Sequence, residues 1–263
     1  MATRPDLSAT GQALAENIKQ QLSSGNIEGP LLPEVASRVI ALSQDSESEI
    51  SDLAQLVHSA PSLAAHVLRI ANSAAYTPNA SLVSLQQAIT RLGMNLICDI
   101  AVAASISTRM FKAPGYEGRI NHIWKPALAT ALWAKEIART CRLNVEATFL
   151  CGLLHSIGRP VTIQAACDIT KRNAVSLNEE DAQALEDILN IEVGSCVLKS
   201  WEMPIIICEA LQHLKDYHAA PHAVEQTMIV NASAQFATHM LDSEQLSRDD
   251  LIALEVLADL NLY

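Results

Sequence analysis

The sequence predicts an all-α protein, and three observations carry that prediction. Apolar residues recur at helical spacing from one end to the other, and strand-like alternation is absent. The apolar content comes mainly from Ala, Leu, Ile and Val, with only 4% aromatics, and Ala is the best helix former. With 49% hydrophobic and 18% charged residues the chain folds rather than staying disordered. Its 263 residues suit one large domain or two tightly joined ones, with enough length for a substantial core.

The elements run in chain order. Residues 1–24 read as an N-terminal helical extension. Ile50, Leu53, Ala54 and Val57 form a stripe behind Ser46 and Glu49, a capping-box spacing. Leu63, Ala64, Val67, Leu68 and Ala71 form the next, started by Pro61 in the first turn. Ser84 with Gln87 opens a helix through Ile89 and Leu92, and Gly93 stops it. Leu68, Ile70 and Leu92 are expected in the N-terminal core or at its junction with the second lobe. Another helix runs from Asn95 to about Met110. Pro114, Gly115 and Gly118 then mark the main internal boundary, at 112–119.

A long helix comes next, with Ile120, Ile123, Trp124, Ala127, Leu128, Ala131 and Leu132 on one face. Asn144 caps a helix carrying Phe149, Leu150, Leu153 and Leu154 into His155-Ser156-Ile157-Gly158, where Gly158 is expected to supply the turn. Further helices start at Pro160, Asn178 and Pro204, and a last pair spans 221–241 and 247–260. The expected organisation is two helical lobes, about 30–110 and 119–220, with residues 221–263 completing the second.

The formal net charge is −11, and no basic block is longer than Lys171-Arg172. Nucleic-acid affinity comes largely from Lys and Arg displacing counterions, so a nucleic-acid partner is not expected, nor an anionic membrane surface. Residues 1–10 lack the apolar core of a signal peptide, and no run reaches the roughly 20 apolar residues of a span. The expected location is cytoplasmic. Six scattered cysteines without a C-x-x-C pair form neither a disulfide framework nor a zinc knuckle.

Several segments carry a resemblance. They are Leu32-Pro33, "APSLAAHVLRIANSAAY" at 60–76, "SLQQAITRLGMN" at 84–95, "IWKPALATALWAKEIA", "EATFLCGLLHSIGRP", "IEVGSCVLKSWEMP" and "ALQHL". Over roughly residues 25–220 the chain resembles the HDOD domain family, relatives of the HD phosphohydrolases. The resemblance implies a multi-helix fold, with an N-terminal lobe packed on a degenerate HD-like lobe, and a regulatory role, usually in bacteria. It also marks Asn72, Ser73, Leu92 and Gly93 as motif or lobe-interface residues; their local reading is helix capping and turn formation.

HD enzymes hold divalent metal with imidazoles and carboxylates, and a metal-bound water attacks a phosphoester. The resemblance allows each ligand position to be read here. The "W-x-H" histidine is replaced by Pro126. The His-Asp pair reads His155-Ser156, and a neutral hydroxyl cannot replace the bridging carboxylate. The "H-x-E-V-G" histidine is Ile191, the His-His pair reads His213-Leu214, and the final Asp-containing segment reads Asn231-Ala232-Ser233. Of the expected ligands His155 and His213 remain, and two imidazoles without a carboxylate suit a hard metal poorly.

No catalytic residue, metal or cofactor is therefore expected. His155 reads most simply as a helix-end side chain bonded to a backbone carbonyl. His218 and His222 are separated by Pro221, which spoils a helical ligand pair. The expected function is non-catalytic signal transduction through protein–protein binding, with other signalling proteins as partners. The alternative is a divergent HD-type phosphohydrolase, or a small-molecule (nucleotide) receptor using the relic pocket.

Overall fold

Every regular element among the described residues is a helix, and several begin on the cap that the sequence supplies. The computed structural model describes residues 7–25, 30–45, 47–72, 82–106, 110–173 and 176–262. The chain divides into two compact units, Leu32–Ser107 and a larger one made of Met1–Leu31 with Thr108–Tyr263.

The 32–107 unit contains α2 (Glu34–Gln44), α3 (Ile50–His58), α4 (Pro61–Ala71), α5 (Leu85–Leu92) and α6 (Met94–Ser105). Apolar α6 is its centre and packs against the other four. Val39, Leu53, Val57, Val67, Leu85, Ile89 and Ile97 are fully buried or nearly so. Pro61 begins α4, and the Ser84 hydroxyl accepts from the Gln87 N–H at 3.2 Å. Gly93 sits at φ +88° between α5 and α6, a backbone conformation that a β-carbon would oppose.

Two expectations change here. Ser46 lies outside the described residues, and the cap of α3 is Glu49, whose N–H donates to Asp52 Oδ2 at 2.9 Å. Ile50 at the start of that stripe is 40% exposed, and Leu56 is buried in its stead. Leu68, Ile70 and Leu92, expected in the core or at its junction, are half-buried.

The larger unit holds α1 (Ala9–Ser23), α7 (Glu117–Cys141), α8 (Val145–Leu154), α9 (Gly158–Asn173), α10 (Glu179–Ser200) and α11 (Ile205–Gln212). It is completed by α12 (Val224–Leu241), α13 (Arg248–Ile252) and α14 (Glu255–Asp259). Long α7 lies against α8 and α12, while α10 lies against α9, α11 and α1. Asn144 and Asn178 cap α8 and α10 by accepting from Ala147 N at 2.9 Å and Asp181 N at 2.7 Å.

Small residues set how closely these helices approach. Ala127, Ala131, Ala134 and Ala138 form a buried stripe on α7. A β-carbon on Gly152 of α8 would stand 2.8 Å from the Ala131 Cα. Leu132, expected on the inner face of α7, is instead 41% exposed, because the contact face follows the alanines. Gly158 is not a turn glycine. It begins α9 without a positive φ, and a β-carbon there would collide with the Asn190 carbonyl and approach Gly194 N to 2.7 Å.

The helix expected over 247–260 is broken at Ala253–Leu254. Leu251, Val256 and Leu257 are all buried, and the break lets both short pieces face α12, which one straight helix with that spacing would not allow.

Candidate functional site

A cleft of about 1580 Å³ opens within the larger unit, walled by α7, the α8–α9 junction, α10 and α11. Pro126, His155, Ser156 and Ile191 line it together, although 65 residues separate the first from the last in sequence. His213 does not line it; it ends α11, half-buried, and Leu214 and Lys215 face the cleft in its place. Asn231 is turned to structure, donating from Nδ2 to the Leu214 carbonyl at 2.8 Å. Asn72 belongs to the 32–107 unit, where its side chain both donates to the Leu82 carbonyl (2.8 Å) and accepts from the Leu82 N–H (2.6 Å). Gly93 there is the α5–α6 hinge and Leu92 the last residue of α5; Ser73 lies outside the described residues.

His155 caps the last turn of α8, and its Nδ1 lies 2.7 Å from the Gly152 carbonyl. A carbonyl can only accept, so Nδ1 carries the proton and Nε2 is left as an acceptor. Burial drives the imidazolium down to about 4, and the hydrogen bond to Gly152 offsets only part of this. The ring is therefore neutral at pH 7. Its own backbone carbonyl accepts from Asn190 Nδ2 at 3.1 Å, which ties the α8–α9 junction to α10.

The carboxylates at the cleft are held by arginines. Arg119 on α7 donates from all three guanidinium nitrogens, to Glu186, Glu179 and Gln183 of α10. Glu186 is almost fully buried; burial raises its carboxyl, against the pull of Arg119. Arg159 pairs with Asp187 at 2.7 Å. Sequence reasoning reads Glu179, with Glu180 and Asp181, only as a solvated first helical turn, which the Arg119 pairing of Glu179 and the burial of Asp181 correct. Glu179, Gln183 and Glu186 do carry a legible sign, since their spacing places them on one helical face.

Two further groups are buried for structural ends. Glu209 accepts from His222 N (2.8 Å), Ala223 N (2.9 Å) and His222 Nδ1 (2.7 Å), which fastens the start of α12. Burial alone would raise its carboxyl, but these hydrogen bonds outweigh it and hold it below the ordinary glutamate value. His218 lies elsewhere, 3.3 Å from Asp259. Cys151 is buried against the Ile206 carbonyl, and burial pushes its thiol up to about 12, so it stays an unreactive thiol.

Among the described residues no group of three His, Cys, Asp or Glu could hold a metal ion, and no helix is long and apolar enough to cross a membrane. The residues that the family resemblance assigns to the HD-type positions do not fit a divalent cation. One imidazole has its Nδ1 committed to a backbone carbonyl, and proline, serine and isoleucine supply no charged donor.

Comparison with known proteins agrees with this architecture. A protein from Shewanella amazonensis SB2B, provisionally named a metal-dependent phosphohydrolase, superposes with TM-score 0.71 at 20% identity, over 96% of this chain and 97% of that one. An HDOD domain protein of unknown function from Geobacter sulfurreducens gives TM-score 0.70 at 23% identity, over 96% and 88%. An uncharacterized protein of Treponema pallidum (strain Nichols) is 21% identical over 231 residues, 81% of this chain. This chain spans only 43% of that relative's length. The HDOD domain model matches residues 30–217, most of the sequence. The chain belongs to the HDOD domain family.

Proposed function

We propose that this chain is a non-catalytic regulatory protein that acts by binding other proteins in bacterial signal transduction. The observation that carries the reading is the composition of the cleft wall. Pro126, Ser156 and Ile191, which the family resemblance assigns to former ligand positions, line it without a charged donor, and the nearby Glu186 and Asp187 are already neutralised by Arg119 and Arg159. Activation of water for attack on a phosphoester needs a cation held by several converging ligands, and this wall supplies no such set. What the fold keeps is packing: alanine-lined helix crossings and buried caps that hold a rigid surface.

The acidic balance, 29 Asp and Glu against 18 Lys and Arg, favours partners with basic patches. Such steering acts over a Debye length of about 8–10 Å and weakens with salt.

The test has two parts. Elemental analysis of purified protein should find no stoichiometric iron, manganese or zinc, and phosphodiesters, cyclic dinucleotides included, should remain intact. Affinity capture from native lysate should enrich a protein whose association slows between low and physiological ionic strength. About one metal ion per chain together with turnover would sink the non-catalytic reading.

A further inference from the structure

The charges of this protein are not spread evenly. The chain as a whole is acidic at −11, yet its cleft is lined by four cations, Lys19, Arg119, Arg159 and Lys215, and by three acids, Glu179, Glu186 and Asp187. Cations are thus concentrated in this cleft, and the local sign is opposite to that of the whole. A cleft with low-dielectric walls focuses such a field on its interior.

The four cations differ in how far they are committed. Arg119 donates from each of its three nitrogens, to Glu186, Glu179 and Gln183, and holds the wall. Arg159 makes one contact, from Nη2 to Asp187, which leaves other guanidinium N–H groups available. Lys19 meets Glu192 at 3.6 Å, with both side chains about half exposed, a weak pairing. Lys215 is exposed and has no ion-pair partner among the described residues. Beside these charges the lining mixes aliphatic side chains, among them Ile123, Pro126, Ile188, Ile191 and Leu214, with polar ones, among them Tyr116, His122, His155, Asn190 and Thr238.

We propose that this cleft is a receptor site for a small organic anion, an apolar body bearing one phosphate, phosphonate or carboxylate head. Lys215 and the free edge of Arg159 take the head through charge-assisted hydrogen bonds, and the isoleucine and leucine wall takes the body. Ligand pockets generally run to roughly 300–1,000 Å³, so a cleft of about 1580 Å³ accommodates such a molecule with water to spare. Recognition of this kind needs none of the metal ligands that the wall lacks. It goes beyond the protein-binding reading and does not depend on it, since an anion in this cleft could be the signal that such a module reports.

The experiment is isothermal titration calorimetry of the full chain at low salt with three probes at millimolar concentration. Phenylphosphonate and phenylacetate share an aromatic body and differ in head group, and benzyl alcohol is the uncharged control. Neither anion has an ester to hydrolyse, so the result is independent of any phosphohydrolase activity. At least one anion should bind saturably and the alcohol should not. Lys215→Ala should weaken binding about tenfold, the loss of one charge-assisted contact, and Lys215→Glu should weaken it further. Lys171→Glu, on exposed α9 surface outside the cleft, should leave it unchanged. Arg159→Gln guards against a head group seated wholly on the arginine. The proposal is overturned if neither anion binds, if benzyl alcohol binds equally well, or if Lys215→Glu and Arg159→Gln both bind like the parent.

Discussion

Asp181 and Ser8 are 173 residues apart, yet the Asp181 carboxylate accepts both the backbone N–H of Ser8, at 2.9 Å, and its hydroxyl, at 2.6 Å. The same carboxylate accepts from Asn178 Nδ2, and it is 2% exposed. Burial would raise its carboxyl, but these three donors outweigh that and hold it below the ordinary aspartate value. This contact docks α1 against α10. Replacing Asp181 with Ala should cost about 2 kcal/mol, the scale of lost hydrogen bonds to a charged group. Hydrogen exchange in α1 should rise more than in α7. Equal protection of α1 in the variant and the parent would show that apolar contacts of Leu14 and Ile18 suffice.

Gly158 and Gly194 should differ sharply as alanines. A β-carbon at Gly158 meets the backbone of Asn190 and Gly194, which can yield only by separating α9 from α10. At Gly194 the nearest neighbour is the end of the Leu211 side chain at 2.8 Å, and the closest backbone atom, Gly158 N, stands off at 3.2 Å, so the conflict is milder. Gly158→Ala should therefore destabilise by about 3 kcal/mol, and Gly194→Ala by well under half of that, read from urea midpoints. The opposite order would mean that the α9–α10 crossing is not the rigid contact described.

Acid should weaken the protein in two steps with separate causes. From the ordinary histidine value of 6.5 down to about 4, the unfolded chain takes up a proton at His155 that the folded chain refuses, so stability falls with pH in that window. Glu209 acts lower. Its folded value is depressed, so its contribution is complete above the ordinary glutamate value of 4.5 and is lost as pH falls through the folded one. His155→Ala should cost about 1 kcal/mol at neutral pH and flatten the first step. Glu209→Gln should cost about 2 kcal/mol at neutral pH, with the deficit shrinking in acid. Melting temperatures across this range check both, and an unchanged slope in His155→Ala would rule out the first assignment.

Arg119 neutralises a carboxylate that burial has removed from water. Arg119→Ala leaves Glu186 inside without its partner, which should cost about 3 kcal/mol. Adding Glu186→Gln to it should recover part of the loss, because a neutral amide tolerates burial better. If the double variant is no more stable than the single one, Arg119 acts through its bonds to Glu179 and Gln183 instead.

The helices are legible in the sequence because their evidence is local. Pro61, Ser84, Gly93, Asn144 and Asn178 each act within four residues of their position, and the structure finds each at a helix end. The assignment of Pro126, His155, Ser156, Ile191 and His213 to former metal positions rests on family resemblance alone. That Pro126, His155, Ser156 and Ile191 share a wall while His213 does not is a property of helix packing. The contacts that define the larger unit are not legible at all. Arg119 with Glu186, Glu209 with His222, and Ser8 with Asp181 join residues 67, 13 and 173 apart, and no periodicity specifies such partners. Gly158 misleads for the same reason: a glycine after a helix looks like a turn until the opposing helix is in place.

The larger unit has one more property, which concerns synthesis. Its first helix emerges from the ribosome before residues 32–107, a compact unit in its own right, and well before Asp181 and the rest of α10. Helix α1 must therefore wait through the translation of more than half the chain with Leu14, Ala15 and Ile18 unsheltered. At about 5–20 residues per second that wait lasts on the order of ten seconds or more. Early apolar exposure of this kind is what chaperones bind. The lobe that carries the cleft consequently closes only after residues 32–107 have been made, and nascent chains stalled before residue 181 will present α1 as bait.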